Sequence, residues 1–254
     1  MYKILANTLF LGKDIVYLTD CHSTNDEANK RLGHRTVCEG SIIITDNQTK
    51  GRGQRGNQWI SEPGKNLIFS LVLQPAFLAP PDQFYLNMSI SLAVTDFFGD
   101  YVQGVKIKWP NDIFHTDSGK LGGVLIENSI SSLSIESSIV GIGLNINQVD
   151  FTVPNATSLT KLTNQNFDLW ELFRVLVMHI EKRYLELKKG MHSKILSDYL
   201  NKLFRYEEWA KYEDNAVFIG RIIGIAMDGK LIIEKENGFV NHYAFKEVKF
   251  LFDK

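Results

Sequence analysis

Residues 104–146 hold four β-rich runs, 104–109, 112–116, 121–128 and 133–146, joined by links too short to contain a crossover helix. Parallel pairing needs a connection of about a dozen residues or more, so these runs must pair as antiparallel hairpins. Asp117-Ser118-Gly119 supplies the turn between the second and the third. Three earlier runs also read as strands: 15–20 (IVYLTD), 41–45 (SIIIT) and 67–73 (LIFSLVL). Pro75 punctuates the end of the last, and the Pro80-Pro81 pair opens a helix over 81–98.

The pattern then turns helical. Leu169, Leu172, Phe173, Leu176, Ile180, Tyr184 and Leu187 recur at three- and four-residue steps, which predicts a helix over 168–187 with one buried face. Asp168 stands at its N-cap region and Gly190 at its stop. A second helix covers 191–204. Beyond 211 the chain returns to short β runs, 215–226, 230–236 and 239–244, with Asp228-Gly229 and Asn237-Gly238 between them. Asx-Gly between apolar runs is the strongest short hairpin signal. The fold class is α+β: a mixed sheet flanked by helices over residues 1–208, and a compact β-barrel-like appendage over 209–254, too small to bury much alone.

The 28 Lys and Arg against 29 Asp and Glu give a net charge of −1. A protein held on nucleic acid or an anionic membrane by bulk electrostatics carries a basic excess, so any anion handling here is local. Two cysteines, Cys21 and Cys38, build no disulfide framework, and no Cys/His spacing resembles a zinc site. The first residues break their apolar run with Asn7, Thr8, Lys13 and Asp14, unlike a signal peptide, and no run is long enough to span a membrane. These features predict a cytoplasmic protein that binds neither DNA nor membrane.

Three segments carry chemistry. The first is the loop Gln48–Trp59, QTKGRGQRGNQW, in which Gly51, Gly53 and Gly56 let the backbone approach a ligand. Lys50, Arg52 and Arg55 add charge there, although a solvated flexible loop would look the same. It is neither a Walker A loop nor a dinucleotide fingerprint. The second is Lys108-Trp109-Pro110-Asn111-Asp112 followed by Gly119-Lys120-Leu121-Gly122-Gly123. Here a lysine beside glycines is suited to a developing anion, or is an ordinary turn lysine. The third is Ser23-Thr24-Asn25, which offers hydroxyls and an amide after the first strand. The same residues make good N-cap chemistry, with a capping box available between Thr24 and Glu27.

Taken together and in order, GRGQRG, KWPND and KLGG resemble the biotin–protein ligases, also called biotin–acetyl-CoA-carboxylase ligases. The STN segment and Gly141–Asn147, GIGLNIN, are also similar to family segments, and the detailed likeness spans about residues 15–150. The resemblance implies a catalytic domain over 1–208 and a small SH3-like domain over 209–254. It also implies biotin and ATP as substrates with Mg²⁺, biotinyl-5′-AMP as intermediate, and a lysine of a biotin carboxyl carrier protein or domain as acceptor.

By that resemblance Ser23, Thr24, Asn25 and Gln48 face the biotin ring system, whose ureido N–H and carbonyl groups need partners when buried. Arg52, Gly53 and Gln54 follow the biotin tail, with Arg52 covering the adenylate as a second catalytic residue. Lys120 is the active-site lysine, meeting the biotin carboxylate and the α-phosphate. Gly51, Arg55, Gly56, Trp59, Asn111, Asp112, Gly122, Gly123 and Asn145 are implied on the nucleotide side, Asp112 with a role toward Mg²⁺. The chain departs from the common family pattern at Gln54, where many members carry arginine, and at Asn57, where some also do. The neutral Gln54 is expected to loosen the hold on the adenylate unless Lys50 or Arg55 compensates.

About 14 residues precede the first strand, too few for a helix-turn-helix unit, so the expected type is monofunctional. Two other readings stay open: a lipoate or octanoate ligase or transferase on a related core, and a non-catalytic biotin-binding protein. An edge strand could also pair with a second copy as a homodimer.

Overall fold

The computed structural model describes residues 5–252. β1 (Ile15–Cys21), α1 (Thr24–Gly33) and β2 (Ile42–Gln48) form a βαβ unit whose strands pair in parallel. β3 (Leu67–Leu73) is followed by α2 (Gln83–Gly99). β4 (Val105–Lys108), β5 (Asp112–His115), β6 (Gly119–Ile130) and β7 (Ile135–Leu144) then pair as successive antiparallel neighbours, as the short links required. β7 also pairs antiparallel with β3, giving one mixed sheet in the order β1-β2-β3-β7-β6-β5-β4.

LIFSLVL is buried along all of β3 because both sheet faces are covered. Ile42, Ile44, Phe69, Leu71 and Val140 join the main core with α2 and, later in the chain, α3 (Leu159–Thr163), α4 (Leu169–Lys188) and α5 (His192–Lys202). Ile43, Val72 and Ile139 pack with Ala28 of α1 on the other face. Each such aliphatic side chain contributes about 1.5–3 kcal/mol by leaving water. The Asp168 carboxylate accepts from the backbone N–H groups of Trp170 and Glu171, capping α4, and Gly190 takes φ +72° just past its end.

The capping box does not form. Ser23 is the N-cap of α1 without a side-chain cap bond, and Glu27 instead pairs with Arg31 at 3.6 Å. The Thr24 hydroxyl is drawn away from the helix end by partners on the sheet, described below.

The C-terminal strands are β8 (Trp209–Glu213), β9 (Val217–Ile225), β10 (Leu231–Lys235), β11 (Val240–Tyr243) and β12 (Lys249–Phe250), ordered β11-β10-β9-β8-β12 and all antiparallel. Both Asx-Gly pairs sit in the expected turns, with φ +83° at Gly229 and Gly238. The expected barrel is an open sheet: among the described residues β11 and β12 do not pair. β12 pairs through only two residues, both with β8, and forms one edge of the sheet while β11 forms the other. Trp109 Nε1 donates to the Gly229 carbonyl at 2.9 Å and Phe245 packs on the Trp109 ring, so the appendage docks against the corner that follows β4. Among the described residues no helix is long and apolar enough to cross a membrane, and both cysteines are free.

Candidate active site

A single register row crosses five strands: Ile68 on β3 pairs Gly143 on β7, which pairs Gly123 on β6, which pairs Asp112 on β5, which pairs Lys108 on β4. Paired residues share a sheet face, so this row is a floor with glycine at its centre. Above it lies a cavity of roughly 550 Å³, within the usual range for small-molecule sites. A Cβ at Gly143 would come within 2.6 Å of the Trp59 indole, and one at Gly141 would strike the Asn25 amide. Glycine is required at both for close approach.

One end of the cavity is neutral and buried. Ser23, Thr24 and Asn25 are each 3 % exposed and Ser70 not at all. Gln48 Oε1 accepts from the Thr24 N–H at 2.8 Å and lies 3.1 Å from its hydroxyl. Ser70 Oγ stands 2.7 Å from Thr24 Oγ1 and 2.6 Å from Asn25 Oδ1, and Asn25 Nδ2 donates to Glu127 at 2.6 Å. The Ser23 hydroxyl has no partner among the described residues. Neither do the buried Gln54 Oε1 and Trp59 Nε1. Buried polar atoms without partners cost about 1–3 kcal/mol each, so a wall of this kind calls for a polar ligand.

The other end is charged. Lys120 Nζ donates to Asp112 Oδ1 at 2.6 Å and lies 5.9 Å from the Trp59 ring centre. Its ammonium sits over Gly123, where a Cβ would be 3.6 Å from Nζ. Arg52 pairs with Asp26 at 2.7 Å and Glu127 at 3.0 Å. Such half-exposed pairs are worth at most about 1 kcal/mol, so both cations can exchange to a ligand.

All the residues expected to face biotin, namely Ser23, Thr24, Asn25, Gln48, Arg52, Gly53, Gln54 and Lys120, line this one cavity. On the nucleotide side Trp59, Asn111, Asp112 and Gly123 line it as well. Gly51, Gly56, Gly122 and Asn145 do not. Gly51 packs under the Trp59 carbonyl, and Gly122 under Gly143 and Leu144. Asn145 donates its amide to the carbonyls of Thr157 at 3.0 Å and Lys120 at 3.3 Å, steadying the start of β6 from behind. The Arg55 side chain lies outside the described residues.

Several participants had no place among the expected site residues. Ser70 was legible as one hydroxyl inside an apolar strand. Glu127 had no signal of its own. Phe245, Lys246, Val248, Lys249 and Phe250 of the appendage reach the cavity only through tertiary docking. Among the described residues no cluster of three or more His, Cys, Asp or Glu is placed to hold a metal. The single carboxylate of Asp112 at the charged end fits a Mg²⁺ that arrives on nucleotide phosphates, which typically takes one or two protein carboxylates.

A mixed sheet carrying a neutral recess and a lysine-charged end in one cleft is suited to holding a polar small molecule beside an anionic group. The chain belongs to the Biotin/lipoate A/B protein ligase family, whose profile matches residues 17–147. It is 28% identical to the bifunctional ligase/repressor BirA of Bacillus subtilis strain 168, over 93% of this chain and 74% of that protein. It is 27% identical to a biotin–[acetyl-CoA-carboxylase] ligase of Mycobacterium tuberculosis, over 70% of this chain and 66% of that one. Among solved structures, the biotin protein ligase from Aquifex aeolicus in complex with biotin and ATP superposes with a TM-score of 0.76 at 26% identity, covering 94% of this chain and 100% of that chain.

Proposed function

We propose that this protein is an ATP-dependent biotin–protein ligase that forms biotinyl-5′-AMP and transfers biotin to a lysine of a biotin carboxyl carrier protein or domain. The observation that carries this reading is one cavity with a neutral hydrogen-bonding recess at one end and the Lys120–Asp112 pair at the other. A ureido head is neutral but has two donors and a strong acceptor, which hydroxyls and amides match without charge. An apolar dithiolane head would leave the buried Gln54 Oε1 and Trp59 Nε1 without partners, and this favours biotin over lipoate.

In the first step a biotin carboxylate oxygen attacks the α-phosphorus of ATP and the bond to the bridging oxygen breaks, so pyrophosphate leaves with the electron pair. Two anions about 4 Å apart repel by about 4 kcal/mol at an effective dielectric constant of 20. Lys120 offsets this by moving from Asp112 onto the meeting oxygens. Freed Asp112 faces the nucleotide and would hold a phosphate-borne Mg²⁺, which would supply further charge neutralisation. Arg52, released from Asp26 and Glu127, covers the mixed anhydride. In the second step the acceptor amine attacks the acyl carbon, AMP leaves, and the amine gives up a proton.

The test is mass spectrometry of the purified protein with biotin, ATP and Mg²⁺, followed by addition of a biotin-acceptor domain. Biotinyl-5′-AMP should form and the domain should gain one biotin. Activation of lipoate in preference to biotin, or no acyl-adenylate from either, would overturn the reading.

A further inference from the structure

Lys108 is the one charged residue of the register row that the reaction above does not use. Its ammonium lies 5.7, 5.5 and 5.2 Å from the ring centres of Phe114, Phe250 and Phe252. It has no hydrogen-bond or ion-pair partner among the described residues, and it lines the same cavity as Lys120. Burial pushes its pKa down, the Asp112 carboxylate pulls it back up, and Lys120 and Arg205 lower it further. Three other cations that line the cleft have carboxylate partners: Lys120 with Asp112, Arg52 with Asp26 and Glu127, Lys249 with Glu213. Aromatic faces attract a cation through their quadrupole without neutralising it. This ammonium is therefore partly withdrawn from water, held among aromatic rings and without an ion-pair partner among the described residues.

The row supplies the direction. The neutral recess lies beside β3 and β7, Lys120 stands over Gly123 on β6, and Lys108 lies two strands further on, about 10 Å at the usual spacing. Displacement at phosphorus places the attacking and leaving oxygens roughly in line. A carboxylate arriving from the β3 side must therefore expel pyrophosphate toward β5 and β4. We propose that Lys108 is the cation that receives the departing pyrophosphate, clamped for that role by Phe250 and Phe252 of the C-terminal appendage. The inference rests on the ligase reading, because it takes the α-phosphate to sit at Lys120. It makes docking of the appendage part of the first half-reaction and leaves the second, which involves no pyrophosphate, independent of Lys108.

Lys108→Met keeps the apolar stem in its aromatic cage and removes the charge. Biotinyl-5′-AMP formation should fall roughly 10²-fold, a typical effect of losing one donor at a developing anion, and inhibition by added pyrophosphate should weaken at least tenfold. Transfer from chemically supplied biotinyl-5′-AMP should stay within about twofold, and Lys108→Arg should restore most of the loss. Unchanged pyrophosphate inhibition, or an equal fall in both half-reactions, would reduce Lys108 to an anchor of the appendage and overturn the proposal. A second measurement needs no variant: pyrophosphate should protect Lys108 of the parental protein from an amine-acylating reagent, read by peptide mass spectrometry. Labelling that ignores pyrophosphate would also overturn it. Failure of the parental protein to make biotinyl-5′-AMP would instead remove the ligase reading, so the two failures are distinguishable.

Discussion

Where α1 meets β3 and β7, the cleft wall is neutral, almost wholly buried and hydrogen-bonded to itself, through Thr24, Asn25, Gln48 and Ser70. Where β5 and β6 meet, it is ionic and open, and the Lys120 and Asp112 side chains are 37 % and 29 % exposed. A buried neutral network has no cheap alternative partners, so it is fixed before the ligand arrives. Half-exposed ion pairs gain little from each other and can be traded for phosphate and carboxylate oxygens. Recognition is thus rigid at one end, and charge is exchanged at the other.

This contrast can be broken in three ways, taken from the largest expected effect to the smallest. Lys120→Ala should lower acyl-adenylate formation about 10²- to 10³-fold, measured by pyrophosphate release. The melting temperature should barely change, because the side chain is held only by a half-exposed pair, and biotin affinity should fall far less than the rate. If biotin binding collapses with it, the two ends are not separable. Ser70→Ala strips a shared partner from the buried Thr24 hydroxyl and Asn25 amide, a cost of about 1–3 kcal/mol. Calorimetry should show biotin binding weakened roughly tenfold, insensitive to salt, with KM for ATP unchanged. Gln54→Arg adds a charge where the chain has a buried, unpartnered amide oxygen. It should slow release of biotinyl-5′-AMP by about tenfold in a trap experiment, and an unchanged rate would show that Gln54 does not limit retention.

Much of the sheet was legible because hairpin links and alternating apolar residues act locally. The β3 run and the four strands of 104–146 fall within a few residues of their expected limits, and Asp168 caps α4 as its position suggested. β8 and β12 were missed, since β12 has only two paired residues and β8 is stabilised by strands on either side of it. At Thr24 the local signal misled. Capping geometry was available, yet Ser70 and Gln48, 46 and 24 residues away, took its oxygen.

The sequence by itself determined the element types, the hairpin order and the chemical identity of the reactive groups, because turn residues, apolar period and the glycine-rich motifs are written within a few positions of one another. Only the tertiary structure decided that Ile68, Gly143, Gly123, Asp112 and Lys108 form one row. It also decided that Phe250 and Phe252 enclose the lysine at its end. The pairing of Ile68 on β3 with Gly143 on β7 joins residues 75 positions apart, and the docking of Phe250 on Lys108 joins residues 142 apart; no local pattern encodes a contact of that kind.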